Sequence, residues 1–221
     1  MVTTHLPIIH ETLVIRTATR RDLPTVARVH SSAFAGFFMT RLGQAFLREY
    51  YRLTLEGPGG ILLVAEKQGE VVGFVAGFTD PECFLTFMRT QKLRLAWTIL
   101  GRIILSPSLI PRLMLNFGRV QEGREIVKPF PGVIAELASI GVEPTGKGKG
   151  VGRQLISDFL CNVAASGARS VTLLTDAHEN ERTNSFYVKL GFSFIESFTQ
   201  ADGRVMNAYG CKIDEHGEIV L

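Results

Sequence analysis

The chain has no long apolar run, few cysteines and no marked excess of charge. Across 221 residues the longest stretch without Asp, Glu, Lys or Arg is Val29–Thr40, 12 residues. A membrane-spanning helix needs about 20 apolar residues, so the slightly positive mean hydropathy, +0.18, reads as folded core. Met1–Glu11 holds Pro7, no early basic cluster and no apolar centre, and so does not read as a secretory signal. Three cysteines, Cys83, Cys161 and Cys211, are widely spaced and odd in number. They argue against a disulfide scaffold or a zinc knuckle; no metal site is expected, and a reducing, cytoplasmic setting is. With 46% apolar and 20% charged residues, the composition is that of an ordinary globular protein. Its length favours one large domain, or one domain carrying an insertion.

The formal charge of +3 is unevenly placed. Cys83–Val120 holds six basic residues, Arg89, Lys92, Arg94, Arg102, Arg112 and Arg119, and no acid. Since the whole chain carries +3, the remainder is −3.

Hydrophobic spacing lays out the elements. A short β-branched strand at Leu13–Arg16 leads into a helix with Leu23, Val26, Ala27 and His30 on one side, for which Thr19 or Asp22 is a candidate cap. Leu42–Leu55 reads as a second helix, ended by Gly57-Pro-Gly-Gly60. Ile61–Lys67 and Val71–Phe78 flank Gln68-Gly-Glu70 as a hairpin. The basic segment follows, with Pro107 and Pro111 expected to divide it into two helical pieces. Beyond it come a strand at Val133–Val142, a helix from about Val151 to Ala165, a buried strand at Val171–Thr175 and a helix over Glu181–Leu190. Phe192–Phe198 and Asn207–Ile213 form a closing antiparallel pair around Asp202-Gly203. This is an α/β (α+β) arrangement with a helical insertion in its middle.

The turn between the long strand and its helix carries chemistry. Gly141 to Gly148 approaches the P-loop pattern GxxxxGK[ST], but Gly148 stands where a metal-binding hydroxyl is required. GxGxxG fails as well, because Arg153 or Val151 occupies the place of the third glycine. What remains is Lys147-Gly148-Lys149-Gly150-Val151-Gly152-Arg153 running into a helix. Glycines allow close backbone approach, the first-turn N–H groups point outward, and three cations surround them, which suits a pyrophosphate. A flexible surface loop is the plainer alternative.

Ile140-Gly-Val142-Glu-Pro144 followed by Lys147-Gly-Lys-Gly150-Val-Gly152-Arg153 resembles the acetyl-CoA motif of the GCN5-related N-acetyltransferase (GNAT) family. Lys147 departs from that motif's usual Gln or Arg. A second GNAT motif is matched by Asn180 with Phe186-Tyr187-Val-Lys-Leu-Gly191-Phe192, Thr183 replacing the usual Ala, and Val14–Leu23 resembles the family's opening strand and helix. The resemblance spans about Leu13–Ile213 apart from the insertion. It implies one N-acetyltransferase domain over 1–221, interrupted at 83–120. Its fold would be a central, mostly antiparallel mixed sheet whose fourth and fifth strands splay apart, with the helical insertion before the fourth.

The implied activity is transfer of an acetyl or other acyl group from acetyl-CoA to a primary amine, by direct attack through a tetrahedral intermediate and without a metal. By the same resemblance Ile140 and Val142 pair with the pantetheine, an N–H such as that of Ile140 polarises the thioester, and residues 147–153 with Asn180 hold the cofactor. Tyr187 would protonate the leaving thiolate and Glu136 would serve as base. Strict alternation expects Glu136, Ala138 and Ile140 on one face. A packed aromatic at 187, and a solvated or ammonium-binding carboxylate at 136, are the plainer readings. His30 and His178 are weaker alternatives for the base. The insertion could cover a face or join two copies in a homodimer, roof a pocket for an anionic acceptor, or lie on an anionic membrane surface, the last not favoured. A small-molecule amine is the expected acceptor and nucleic acid is not expected. A non-catalytic acyl-CoA-binding sensor or interaction module is the alternative function.

Overall fold

The computed structural model describes residues 13–105, 134–146, 148–200 and 203–220. Two apolar runs, β2 (Gly60–Lys67) and β3 (Glu70–Phe78), form the hairpin at the heart of a mixed sheet. Leu62–Ala65 and Gly73–Phe78 are buried throughout, because helices cover both faces, and this is why these strands do not alternate. β1 (Leu13–Thr17) borders β2. On the other side follow β4 (Ile134–Val142), β5 (Ser170–Asp176), β7 (Val205–Ile213) and β6 (Ser193–Thr199), giving the order β1-β2-β3-β4-β5-β7-β6. A short β8 (Ile219–Val220), with no warning in the sequence, pairs with β7. Only β4 and β5 run parallel among these pairs.

Each face has its own core. The helix α6 (Val151–Ala165) lays Val151, Leu155, Ile156, Phe159 and Leu160 against Leu63, Val75 and Leu137. The helix α7 (Glu181–Lys189) adds Tyr187 to that cluster. On the opposite face α1 (Leu23–Ala33) and α3 (Gln44–Glu56) bury Val26, Leu47 and Tyr51 against Leu62, Val64, Phe74 and Ala76.

Two expectations need correction, and the insertion shows a break that was not expected. Leu42 closes a separate short helix, α2 (Phe38–Leu42), because Gly43 follows at φ +95° and α3 begins only at Gln44. Asp22 precedes α1 without capping it, since its carboxylate is taken by Arg16 at 2.8 and 2.9 Å and by the Thr19 N–H and hydroxyl. The insertion breaks at Gln91, between α4 (Pro81–Thr90) and α5 (Lys92–Leu105). There the Gln91 N–H turns back to the Met88 carbonyl, ending α4 well before the prolines. Pro107, Pro111 and the rest of the insertion lie outside the described residues, as does Asp202 of the expected closing turn.

The helix α5 packs Leu95 and Ile99 into the core beside α3, and Arg94 bonds Glu49 of α3 at 2.7 Å. Its other side leaves Leu93, Trp97 and Leu100 exposed, at 74%, 74% and 46%. Among the described residues no helix is long and apolar enough to cross a membrane.

Gly77 marks a tight crossing in the sheet: a Cβ there would strike the Glu136 carbonyl and lie 2.5 Å from the Phe159 ring. Gly77→Ala is therefore expected to lower stability by about 1–3 kcal/mol, read from the urea midpoint.

Candidate active site at the parted strands

The parallel pair holds for only four residues, Ile134↔Ser170 to Leu137↔Leu173. Beyond Leu137 the strands part, so the splay expected of the fourth and fifth strands is present. Its cause lies on the other edge of β4. Against β3, Ser139 pairs with Ala76 but Leu137 pairs with Gly77, leaving Ala138 as an extra, unpaired residue. One extra residue bends a strand and ends regular pairing.

The bulge also overturns the expected alternation. Ile140 lies opposite Val75 and packs with Leu137 into the α6-side core. Glu136 lies opposite Phe78, and Ser139 lies opposite Ala76 and bonds Tyr51 of α3. Glu136 and Ser139 therefore share the α1/α3 face, while Ile140 belongs to the other. The two-residue period fails because Ala138 is counted in the sequence but not in the ladder.

The open end of the gap meets the glycine turn. A 3₁₀ turn, Pro144–Gly146, follows β4, then Gly148 and Gly150 take φ +78° and +82°, conformations that L side chains rarely adopt. Space is open around both. No side chain caps α6 and its first turn carries no acid. The Lys149 amide bonds the Gly146 carbonyl and the Gln154 amide bonds that of Gly150, while the amides of Gly152 and Arg153 bond to no described residue. Lys149 and Arg153 are exposed; Lys147 lies outside the described residues. Glu143, the nearest acid in sequence, is bonded at 2.5 Å by Arg28 of α1. Donor amides, the positive helix end and the exposed Lys149 and Arg153 are thus left for an anion.

On the far side, Asn180 precedes α7 and donates to Thr175 Oγ1 at 2.7 Å and to the Asp176 carbonyl at 3.2 Å. It fastens the end of β5, and its Oδ1 accepts from no described residue. Asn184 joins it, donating to the Asp176 carbonyl while accepting from the Tyr209 hydroxyl at 2.8 Å. Tyr187 is buried among Phe186, Phe192 and Tyr209. Burial pushes its phenol well above the usual range, so it stays protonated, and its hydroxyl bonds to no described residue. Phe186 faces the start of α6, 3.3 Å from where a Gly152 Cβ would stand.

Several residues at this site gave no signal in the sequence. The end of α1 rests on β4, with Ala33 3.3 Å from a Cβ built on Gly141. From there the chain reaches Phe37, whose ring lies 4.9 Å beneath the guanidinium of Arg204, the residue before β7. Arg204 also bonds Asp176, at 2.6 Å from Nη2 and 3.1 Å from Nε. The α1–α2 connection and the β6–β7 hairpin are therefore clipped together across the end of the gap. His30 is buried rather than poised at a helix end, and bonds Tyr51 at 2.6 Å. His178 is exposed beyond β5. Among the described residues no group of three or more His, Cys, Asp or Glu could hold a metal.

The site is thus a sheet parted at a bulge, with an uncapped, glycine-led helix at the parting. Residues 115–194 match the family model described as the acetyltransferase (GNAT) domain. About nine-tenths of the chain superimposes on solved GNAT structures. An N-acetyltransferase from Staphylococcus aureus Mu50 is 17% identical at a TM-score of 0.60, over 91% of this chain and 98% of that one. A GNAT-family acetyltransferase from Streptococcus pneumoniae is 17% identical at 0.57, over 92% and 100%. The yncA protein of Salmonella typhimurium, solved with its cofactor acetyl-CoA, is 17% identical at 0.56, over 92% and 95%. No curated protein matches the chain. The resemblance to the GNAT family carried by the two motifs is borne out, and the fold is the GNAT fold.

Desolvation lowers the His30 pKa from 6.5 to about 4. Between those values the unfolded chain binds a proton that the native chain refuses, so this contribution is complete above pH 6.5 and is lost as pH falls toward 4. Unfolding free energy is expected to drop by about 2–3 kcal/mol between pH 7 and 4.5 from this group. In His30→Phe that component should be missing when urea unfolding is repeated at both values.

Proposed function

We propose that the protein is an acetyl-CoA-dependent N-acyltransferase that transfers an acetyl group to the primary amine of a small molecule. The observation that carries this reading is the gap between β4 and β5 opening onto the unpartnered amides at the start of α6. The gap and turn fit the cofactor chemically: a narrow slot edged by backbone takes a pantetheine arm, and a glycine-led, acid-free helix start takes a pyrophosphate. The acetyl-CoA held by yncA, which shares the fold, supports the same assignment.

In this reading the amides and cations of residues 147–153, namely Lys147, Gly148, Lys149, Gly150, Val151, Gly152 and Arg153, hold the phosphates. The β4 backbone at Ile140 and Val142 lines the arm, and Asn180 offers its remaining acceptor. Bound acetyl-CoA supplies an activated acyl thioester, which needs a neutral amine as attacker. Glu136, half-buried on the α1/α3 face, removes the ammonium proton. Tyr187, kept protonated by burial, donates to the departing thiolate. The presence of both groups in a chain that also carries the glycine turn favours catalysis over a passive CoA sensor. A cytoplasmic location accords with the free cysteines.

Calorimetry with CoA should show stoichiometric binding, reduced when Gly150 is replaced by a β-branched residue. With a responsive amine and thiol release as readout, Glu136→Gln and Tyr187→Phe should each lower kcat by about 10²-fold or more while CoA affinity is kept. Full turnover in both variants would overturn their roles, and no CoA binding would overturn the acyltransferase reading.

A further inference from the structure

A line of three polar side chains crosses the otherwise apolar layer between α1 and the sheet. His30 Nδ1 lies 2.6 Å from the Tyr51 hydroxyl, and that hydroxyl lies 3.1 Å from Ser139 Oγ. His30 is 4% exposed and Tyr51 is fully buried, with Phe34, Phe74 and each other's rings around them. The inner end is sealed, because His30 Nε2 is buried and bonds to no described residue. The outer end is Ser139, half-buried, the first residue past the bulge and on the same face as Glu136.

The sealed end sets the direction of the line. A buried N–H without an acceptor is a rarer arrangement than a bare lone pair, and desolvation holds the ring neutral, so the lone proton sits on Nδ1. Nδ1–H then donates to the Tyr51 oxygen, and the Tyr51 hydroxyl donates to Ser139 Oγ. The Ser139 proton is then not used in the bond to Tyr51, and no described residue accepts it. A polar line in an apolar layer is costly when one end is unsatisfied. Here the unsatisfied donor stands where β4 leaves β5.

We infer that Ser139 is a substrate-contacting residue, donating its hydroxyl proton to the thioester oxygen, and that Tyr51 and His30 are positioning residues fixing that donor's direction. The inference rests on the acyltransferase reading and adds a side-chain donor to it. Such a bond favours acetyl-CoA over free CoA, because only the thioester carries the oxygen. It strengthens as negative charge gathers on that oxygen during transfer.

The test needs no knowledge of the amine. The Kd values of acetyl-CoA and CoA are measured by calorimetry for the wild type, Ser139→Ala, Ser139→Thr, Tyr51→Phe, and Tyr51→Phe combined with Ser139→Ala. The Ser139→Ala change should remove roughly three- to tenfold of the preference for acetyl-CoA without altering affinity for CoA. Ser139→Thr should restore it. Tyr51→Phe should reduce it in the wild type and have no further effect once Ser139 is Ala. With a responsive amine, kcat should fall in Ser139→Ala while the acceptor KM holds. A lowered Tm with an unchanged acetyl-CoA to CoA ratio would show a merely structural line and overturn the inference, leaving the acyltransferase reading intact. Absence of binding to either ligand by the wild type would overturn both.

Discussion

The single extra residue at Ala138 is the constraint on which the rest of the molecule depends. Up to Leu137 the strand β4 is shared between two neighbours; past it, only β3 holds on. A bulge on the β3 edge increases local twist, and the twist carries the remainder of β4 away from β5. The same residue resets which side chains meet which layer. Leu137 and Ile140 bind α6 in place behind the gap, while Glu136 and Ser139 turn toward α1 and α3. Gly77 makes the crossing possible, since any side chain there would strike the β4 backbone. A bulge, a slot and a two-sided site are thus one structural event.

Electrostatics around the slot follow a consistent rule: acids near its ends are held by arginines from other elements. Arg28 of α1 holds Glu143 beside the glycine turn, and Arg204, just before β7, holds Asp176 at the end of β5. Partly exposed pairs of this kind contribute about 0–1 kcal/mol to stability. Their larger effect is on the field, because each removes a negative charge from a place where an anion is to bind. Arg204 also places a cation over Phe37, so the clip across the gap joins three segments far apart in sequence.

The sequence made legible whatever depends on local chemistry. Glycines at 148 and 150 followed by an apolar helix predicted an open, positively charged helix start, and that is what forms. Alternating and continuous apolar runs placed most strands within a residue or two. Features set by long-range contacts were not legible. The bulge at Ala138 has no residue signature, so counting by twos put Glu136 and Ile140 on one face when they lie on opposite ones. Asp22 looked like a cap because Ser, Thr, Asp and Asn favour that place, but Arg16, six residues earlier, outcompeted the helix amides for its carboxylate. Neither Tyr51 nor Ser139 stood out in the sequence. Their partnership spans 88 positions and exists only once α3 is laid across β4.

The insertion takes part in that same arrangement. Its helix α5 does not stand apart from the domain: Leu95 and Ile99 share a core with Tyr51, Leu47 and Phe74. Arg94 extends an ion-pair series along α3 in which Arg52 bridges Glu49 and Glu56, and Arg20 reaches Glu56 from before α1. The helix α3 is therefore gripped on one side by α1 and on the other by α5. A helix held from two sides has little freedom to roll, and rolling is the motion that would take the Tyr51 hydroxyl out of reach of Ser139. Between the bulge, which positions Ser139 from the sheet, and α5, which steadies Tyr51 from outside, the polar line has both its supports. In physical terms the first part of the insertion acts as a buttress behind the α1/α3 face of the site.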